Sequence, residues 1–155
     1  MKEMKTLTIN NEDYEILDEK SRPVMNIENM KNMNNLVIGN VVKTSGYYEP
    51  GDGGSGLYLI KERTENHVED NGSIHFISDS LVAELIEKDI NIKQFGAIGD
   101  GSNNDTTSFM NAIEYAKNKR ICLHLNHGNY VITSTLELPF YVKLVTNGDV
   151  RIIYK

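Results

Sequence analysis

The sequence contains a single cysteine, which limits the cross-links and the chemistry available to the chain. Cys122 cannot form an internal disulfide, and one thiol gives no basis for a cysteine zinc site. Its neighbours Ile121 and Leu123 are apolar, so we predict a buried thiol rather than a nucleophile. Apolar runs are also short, whereas a membrane-spanning helix needs roughly 20 apolar residues. We therefore expect no membrane partner and no secretory signal.

An excess of basic residues is likewise missing. The 155 residues include 16 Lys and Arg against 22 Asp and Glu, which gives a formal net charge of -6. This sign disfavours nonspecific binding to nucleic acid, because the phosphate backbone is itself negative. The 39% hydrophobic and 25% charged residues are typical of a folded soluble protein. At this length we expect one ordinary domain or two small ones, and no nucleic-acid partner.

A glycine-rich segment over residues 51–56 formally satisfies the dinucleotide fingerprint G-x-G-x-x-G. A dinucleotide site needs a helix directly after the glycines, so that its N-terminus meets the pyrophosphate. Residues 57–60 instead have the pattern of a strand, which favours a structural loop and no bound cofactor. Tyr47 and Tyr48 lie just before this loop, where they either pack over the glycines or form a sugar-stacking surface.

Metal-binding and catalytic patterns are also missing. Residues 100–105 begin like a calcium loop, but Asp105 stands where an EF-hand has glycine, and the later glutamate is absent. We predict instead that Asp100 stabilises the 99–101 turn and that Asp105 caps a helix. The histidines lack metalloprotease spacing and are expected in turns or at the surface, with a weak His124 and His127 metal pair as the alternative. No acids of residues 91–155 pair convincingly, so no catalytic residue, metal or cofactor is predicted.

Charge is distributed unevenly along the chain, with a net charge of -8 before residue 90 and +2 after it. The polar segment 87–89 lies between two apolar patches, which supports a boundary there. We predict an N-terminal leader over residues 1–35, a small β-rich adaptor unit over residues 36–90, and a third region over residues 91–155.

The leader is predicted to hold a short hairpin and a short helix. Residues 6–9 and 14–17 alternate polar and apolar side chains on either side of a polar turn. After Pro23, apolar side chains recur at helical three-residue spacing. We expect this stripe to pack within the protein or its oligomer, in the latter case against its copies around a threefold axis, rather than to capture a partner peptide. The residues of the stripe are Val24, Ile27, Met30 and Met33.

Short apolar segments between turn residues predict a mostly β protein with one or two helices. The clearest helix runs from Thr106 to Lys119, because Phe109, Ala112, Ile113 and Ala116 line one face. Strands are predicted at residues 36–38, 41–42, 57–60, 73–77, 81–85, 121–125, 130–133, 135–138, 142–145 and 150–154. Turns are predicted at residues 126–129 and 147–149. Such short, closely spaced strands suit a sandwich or a coiled parallel β architecture.

Glycine and aspartate surround the predicted helix in a specific order: Phe95-Gly96-Ala97, then Gly99-Asp100-Gly101, then Asn104-Asp105-Thr106, and finally Gly128-Asn129-Tyr130. This order resembles the opening of the pectate-lyase-like right-handed β-helix family. The resemblance implies that the helix caps the open end of a parallel β-helix whose first coil holds the last motif. The residues to which it assigns a structural role are Phe95, Gly96, Gly99, Asp100, Gly101, Asp105, Thr106, Gly128 and Tyr130.

Upstream, residues 40–58 form a second motif, whose loop residues are Gly46, Tyr47, Tyr48, Gly51, Asp52, Gly53 and Gly54. This segment is similar to the N-terminal region of tailspike and neck- or tail-appendage proteins of phages that infect Gram-positive bacteria. The resemblance implies a homotrimer in the virion, made in the host cytoplasm. It also implies docking on other tail, neck or baseplate proteins, and a long β-helix that binds or cleaves host surface polysaccharide.

Three functions are left open by these patterns. The first is a structural virion protein, in which this chain attaches the tailspike and starts its β-helix. The second is the leading part of a polysaccharide depolymerase, a hydrolase or lyase, with catalytic residues beyond Lys155. The third is a carbohydrate-binding module that uses Tyr47, Tyr48 and Tyr58. The apolar edge of the last predicted strand further predicts either an oligomer that covers it or a natural protein that continues.

Overall fold

A computed structural model describes residues 6–9, 12–15 and 24–155 of the chain. Within them the fold is mostly β with two helices, as predicted. The strands are β1 (Thr6–Ile9), β2 (Glu12–Glu15), β3 (Val41–Lys43), β4 (Leu57–Glu62), β5 (Ile74–Phe76), β6 (Leu81–Leu85), β7 (Ile90–Asn91), β8 (Asp100–Asn104), β9 (Leu123–Ile132) and β10 (Leu144–Tyr154). The helices are α1 (Ile27–Lys31) and α2 (Thr106–Lys119), and a 3₁₀ helix covers Ile92–Phe95.

The leader contains the predicted hairpin. Strands β1 and β2 are antiparallel, with Ile9 opposite Glu12. The second strand begins at Glu12, two residues earlier than predicted, and the predicted strand positions 16 and 17 lie outside the described residues.

The apolar stripe on α1 packs into the core of its own chain. Met30 is 0% exposed and Ile27 is 6% exposed, while Val24 and Met33 pack against the same core. The core of one chain already covers Ile27 and Met30. These two side chains are therefore not free to contact copies of the chain around a threefold axis. Asn26 begins the helix, and its side-chain oxygen accepts a hydrogen bond from the Asn29 backbone N–H.

Four strands of the adaptor unit form an antiparallel sheet in the order β3-β4-β6-β5. Its buried face carries Tyr58, Ile60, Ala83 and Leu85. The predicted strand at 36–38 is wrong, because the side-chain oxygen of Asn40 accepts a hydrogen bond from the Val37 N–H at 2.9 Å. This side-chain bond turns the backbone before β3 begins.

The third region is built on a parallel sheet in which β9 pairs with β10 on one side and with β7 on the other. Strand β8 also pairs with β9, at Asp100 and Asn104. The parallel alternative among the predicted architectures is therefore confirmed. The chain leaves the antiparallel sheet after β6 and enters the parallel sheet at β7, so the segment 86–89 connects the two sheets. The division of the chain at residues 35 and 90 stays a prediction, and one buried cluster contains side chains from both sheets.

Two predicted turns in this sheet are wrong, because β9 continues through residues 126–129 and β10 continues through residues 147–149. Asn147 lies opposite Asn126, and its side-chain nitrogen donates to the Asn126 side-chain oxygen at 3.3 Å. The register shifts between Asn147 and Val150, so the irregularity is accommodated as a bulge. The predicted strand at 135–138 is also wrong: the segment pairs with no described strand and runs into Pro139.

Helix α2 has the predicted bounds and the predicted buried face. Phe109, Ala112, Ile113 and Ala116 are buried against the 3₁₀ helix and the parallel sheet. The helix ends at Arg120, which adopts the left-handed conformation with φ 56°. Cys122, which follows, is half-buried rather than fully buried as predicted. Across the described ranges 6–9, 12–15 and 24–155, no helix is long and apolar enough to cross a membrane.

Candidate functional site at the start of the parallel sheet

The 3₁₀ helix that precedes the glycine-aspartate motif is closed at both ends by local hydrogen bonds. Asn91 accepts a bond from the Lys93 N–H, and the Gln94 side chain accepts one from the Asn91 N–H, both at 2.9 Å. This reciprocal pair is a capping box. Gly96 ends the helix in the left-handed conformation with φ 82°, which glycine adopts without a Cβ penalty.

Asp105 is the central residue of the motif, and its role differs from the prediction. It occupies the N-cap position of α2 but makes no side-chain bond to the helix. Instead its buried carboxylate accepts backbone N–H bonds from Ile98 at 2.7 Å and from Val131 at 3.2 Å, with a longer one from Gly99. The carboxylate therefore ties the turn before β8 to strand β9.

The helix start is held by the residues on either side of Asp105. The Asn104 side-chain oxygen accepts bonds from the Thr106 N–H at 3.0 Å and from its hydroxyl at 2.5 Å. The same hydroxyl accepts a bond from the Thr133 N–H at 2.8 Å. Asn104 thus supplies the capping oxygen that was predicted for Asp105.

Two glycines of the motif make room for an aromatic ring. A Cβ added to Gly99 would lie 2.7 Å from the ring of Tyr130, and one added to Gly128 would lie 3.0 Å from the Gly99 carbonyl oxygen. Tyr130 is fully buried, meets Phe109 edge-on at 5.7 Å, and donates its hydroxyl to the Asn126 carbonyl at 2.6 Å. Burial, with the Asp105 charge nearby, raises the pKa of Tyr130 to about 12.

Asp100 stabilises a turn, although a slightly later one than predicted. Its exposed carboxylate accepts bonds from the Asn103 and Ser102 N–H groups and from the Asn103 side chain. These donors hold the pKa of Asp100 below its ordinary value.

The glycine-rich loop of the adaptor unit is organised by Asp52. Its carboxylate accepts bonds from the backbone N–H groups of Tyr47, Tyr48, Glu49 and Gly54 at 2.7 to 3.1 Å. Burial alone would raise the pKa of Asp52, but these donors together lower it. The loop continues directly into β4, so no helix N-terminus is available to a dinucleotide phosphate.

The structure brings the two sequence motifs together. The Tyr48 hydroxyl donates to the Gly96 carbonyl oxygen at 2.8 Å, which joins the adaptor loop to the end of the 3₁₀ helix. A Cβ on Gly54 would lie 2.6 Å from the Lys93 carbonyl oxygen, so the two backbones pack closely. Sequence reasoning found each motif but missed this contact, because its two partners lie 48 residues apart in the sequence.

Two residues of the adaptor unit lie deeper than predicted. Tyr58 is fully buried, so the prediction that its ring belongs to a sugar-stacking surface is wrong. His75, expected in a turn or at the surface, is only 1% exposed in the middle of β5. Burial, reinforced by the charge of Lys31, lowers the pKa of His75 to about 4, although Asp70 and Glu69 oppose the shift. Alternation along 73–77 gave no signal for this burial, because it places His75 on the strand face away from the apolar side chains of Ile74 and Phe76.

A cavity of about 490 Å³ lies between α1 and the adaptor loop. Its walls include Tyr47, Tyr48, Glu28, Asn71 and His75. Of the two roles considered for these tyrosines, packing on the loop glycines holds for Tyr47, which lies against Gly54. Both tyrosines also line the cavity.

Among the residues that the structure describes, acidic side chains do not assemble into a recognisable catalytic pair. Glu137 lines a second cavity of about 350 Å³ together with Glu114. Lys117 donates to Glu114 and lowers the pKa of its carboxyl, the opposite of what a general acid needs. Within the described part of the chain, no three His, Cys, Asp or Glu side chains gather to hold a metal ion. His124 instead contacts Asn147 through its ring nitrogen.

Comparison with known proteins points to one architecture. Residues 89–155 match the family described as rhamnogalacturonase A/epimerase, pectate lyase-like. No curated protein matches the sequence. Among solved structures, the chain is similar to Pantoea stewartii WceF, a glycan biofilm modifying enzyme with a bacteriophage tailspike-like parallel β-helix fold. The two are 18% identical with a TM-score of 0.58, over 79% of this chain and 18% of that one.

Two phage tailspikes are similar to a comparable degree. One is tailspike gp49 of the Acinetobacter baumannii bacteriophage Fri1, a capsular polysaccharide depolymerase, at 15% identity and TM-score 0.58, over 84% of this chain and 22% of that one. Another is the enzymatically active domain of tailspike protein 4 of bacteriophage CBA120, at 13% identity and TM-score 0.59, over 86% of this chain and 18% of that one. This chain spans about a fifth of the length of each structure. It thus combines a pectate-lyase-like region with the fold of tailspike parallel β-helix proteins.

Proposed function

We propose that this chain is the N-terminal structural region of a phage tailspike or tail or neck appendage. Its leader and adaptor unit attach the protein to other virion proteins, and residues 91–155 start a β-helix that recognises host surface polysaccharide. Trimerisation and a Gram-positive host belong to this proposal. The observation that carries it is an inward-facing row of side chains that passes from β9 onto β10 and is left uncovered there.

That row follows from the parallel register. Ile152 lies opposite Tyr130, and register partners in a parallel pair point to the same side of the sheet. Tyr130 is 0% exposed, whereas Ile152 is 47% exposed. Leu123 and Leu144 are also register partners, and there too the β9 side chain is buried while the β10 side chain is only half-buried. A further coil stacked on β10 would bury this row and extend the parallel sheet.

The other end of the sheet is closed, which gives the proposed β-helix a direction. Helix α2 packs its buried face on the 3₁₀ helix, β7 and β9. The Asp105 bonds fix the start of α2 to β9 and to the turn before β8. Growth is therefore proposed only from the β10 side, away from the adaptor unit.

An enzymatic parent protein is the second candidate, supported by the similarity to a structure described as a capsular polysaccharide depolymerase. Under this alternative the catalytic carboxylates lie on later coils, because the acids described here lack a pair suited to glycoside cleavage. Release of reducing sugar from host polysaccharide by the native gene product, but not by residues 1–155, would favour this alternative.

The test of the attachment role is made on the phage particle. Antibody raised against this chain should label a tail or neck structure in immunogold electron micrographs. The labelled polypeptide, recovered from the particle, should have an intact mass well above 17.5 kDa. Particles without label would overturn the attachment role, and a labelled protein of 17.5 kDa would overturn the proposal of a β-helix that continues.

A further inference from the structure

The cavity between α1 and the adaptor loop has no part in starting the β-helix. It is lined by α1, the adaptor loop and His75 of β5, whereas the proposed polysaccharide surface is on later coils of the parallel sheet. Its volume of about 490 Å³ falls within the range of small-molecule sites. The chemistry of its walls indicates what it can hold.

One wall is aromatic and rigid. The rings of Tyr47 and Tyr48 meet edge to face, with centroids 4.6 Å apart. Their hydroxyls are fixed by the Asn71 carbonyl at 2.7 Å and the Gly96 carbonyl at 2.8 Å. Tyr48 is nevertheless 53% exposed, so part of its ring faces solvent. A ring held in place and open on one side suits stacking against the C–H face of a sugar.

Polar groups without partners lie beside this wall. Among the described residues, neither the Glu28 carboxylate nor the Asn71 side-chain amide makes a hydrogen bond. An amide offers both a donor and an acceptor, and a carboxylate accepts from hydroxyls. Lys31, the cation of the cavity, is already paired with Glu69. The free charge is therefore negative, which disfavours an anionic ligand.

A buried histidine gives an independent indication of a ligand. His75 lines the cavity and is 1% exposed, yet neither ring nitrogen has a hydrogen-bond partner within the described chain. The hydroxyl of Tyr58, whose ring lies 5.4 Å from that of His75, is also unpartnered. A buried polar group without a partner costs about 1–3 kcal/mol. A ligand hydroxyl bonded to the imidazole would remove this cost.

From these observations we propose that the cavity binds a neutral hexopyranose. The apolar face of the sugar stacks on the aromatic wall, and its hydroxyls form hydrogen bonds with Glu28, Asn71 and His75. A uronic or sialic acid is disfavoured, because its carboxylate would meet the unpaired Glu28. The adaptor unit would thus carry a glycan-binding site separate from the β-helix.

The test is a titration of the full chain followed by backbone-amide NMR. The probes are glucose, galactose, mannose, N-acetylglucosamine and N-acetylgalactosamine, with glucuronic acid as the acidic counterpart. At least one neutral sugar should shift the amides of Tyr47, Tyr48, Asn71 and His75 in a saturable way at millimolar concentration. Glucuronic acid should shift them at least about tenfold less effectively.

Two variants and one control locate the site. Tyr48→Ala removes the exposed ring, and Asn71→Gly removes the free amide at a residue with φ 54°, a conformation that glycine tolerates. Each should weaken binding by at least about tenfold. Tyr154→Ala removes an exposed tyrosine on β10 and should leave affinity unchanged. The proposal is overturned by any of three results: no neutral sugar shifts these amides, Tyr154→Ala weakens binding as much as the other two, or glucuronic acid binds equally well.

Discussion

A buried carboxylate with backbone partners fixes the start of the parallel sheet. Asp105 accepts N–H bonds from Ile98 and Val131, which belong to different segments of the third region. Asp105→Asn would replace one accepting oxygen by an N–H donor that faces another donor. We expect the free energy of unfolding to fall by about 2 kcal/mol, measured by urea denaturation.

Asp149→Asn provides the matched control for this change. Asp149 is exposed on β10, and its carboxylate makes no hydrogen bond to any described residue. Its substitution should change the unfolding free energy by less than about 0.5 kcal/mol. Equal effects of the two variants would show that the Asp105 bonds do not stabilise the fold.

The buried His75 predicts a specific loss of stability in mild acid. Its pKa is about 4 in the folded chain, while an unfolded histidine keeps its ordinary value near 6.5. Between these values the unfolded chain binds the proton and the folded chain does not. Stability therefore falls as the pH is lowered through this window, by about 3 kcal/mol once the pH is below 4. The charged groups around the ring are Lys31, Asp70 and Glu69.

Unfolding of the His75→Gln variant measures this contribution directly. The variant lacks the titrating ring, so the difference in unfolding free energy between wild type and variant should change across pH 6.5 to 4. His127→Gln, at an exposed position, is the control for the loss of a histidine as such. A difference that stays constant with pH for His75→Gln would contradict the burial of a neutral imidazole.

At the scale of elements, the turn between the 3₁₀ helix and β8 depends on a missing side chain. Gly99 has φ 69° and lies under the Tyr130 ring. Gly99→Ala adds the strain of a left-handed alanine, about 1–2 kcal/mol, and a clash with a buried aromatic, about 1–3 kcal/mol. We expect a lower urea midpoint and a loss of unfolding free energy that exceeds the backbone strain alone.

Gly51→Ala separates these two contributions. Gly51 has φ 86°, but an added Cβ would meet no atom within 4 Å. The variant carries the backbone strain without the clash. Gly99→Ala should therefore be more destabilising by at least about 1 kcal/mol. If the two variants lose the same stability, the Tyr130 ring does not depend on the glycine for space.

Elements defined by local patterns were predictable from the sequence, and those defined by distant partners were not. Helix α2 has its predicted bounds because its apolar face repeats at 3.6 residues within the segment itself. Strands β9 and β10 are longer than predicted, because stacked pairs such as Asn126 and Asn147 continue the ladder through polar residues. Polar turn residues alone do not indicate that a neighbouring strand will pair with them.

The candidate site shows the same limit. Asp105 and the glycines were found as a motif, yet the carboxylate bonds a strand 26 residues away that no local rule identifies. The α1 stripe was read correctly as a packing face, but its partner, the core of its own chain, became evident only in three dimensions.

At the scale of the whole molecule, the proposed trimer requires a contact surface other than α1. Segment 138–141 is a candidate, since Phe140 is 98% exposed and meets Tyr141 edge-on at 5.0 Å. Exposed apolar clusters of this kind mark interaction surfaces. We expect light scattering to give three times the chain mass, and Phe140→Ser to give a smaller mass at equal concentration.

Val68→Ser is the matched control, because Val68 is 73% exposed but lies on a loop of the adaptor unit. It should leave the mass unchanged. A trimer that persists in Phe140→Ser would place the contact elsewhere, and a monomeric wild-type chain would contradict assembly by residues 1–155.

The proposed continuation of the β-helix predicts where hydrogen exchange should differ between this chain and the native gene product. Strand β10 pairs with β9 on one side, so every second residue points its backbone N–H away from that partner. Those amides should exchange quickly in residues 1–155 and slowly in the native protein, where a further coil covers them. Amides of β4, which has paired neighbours on both sides, should exchange equally in both. Equal exchange along β10 in the two proteins would mean that this edge is not where the β-helix grows.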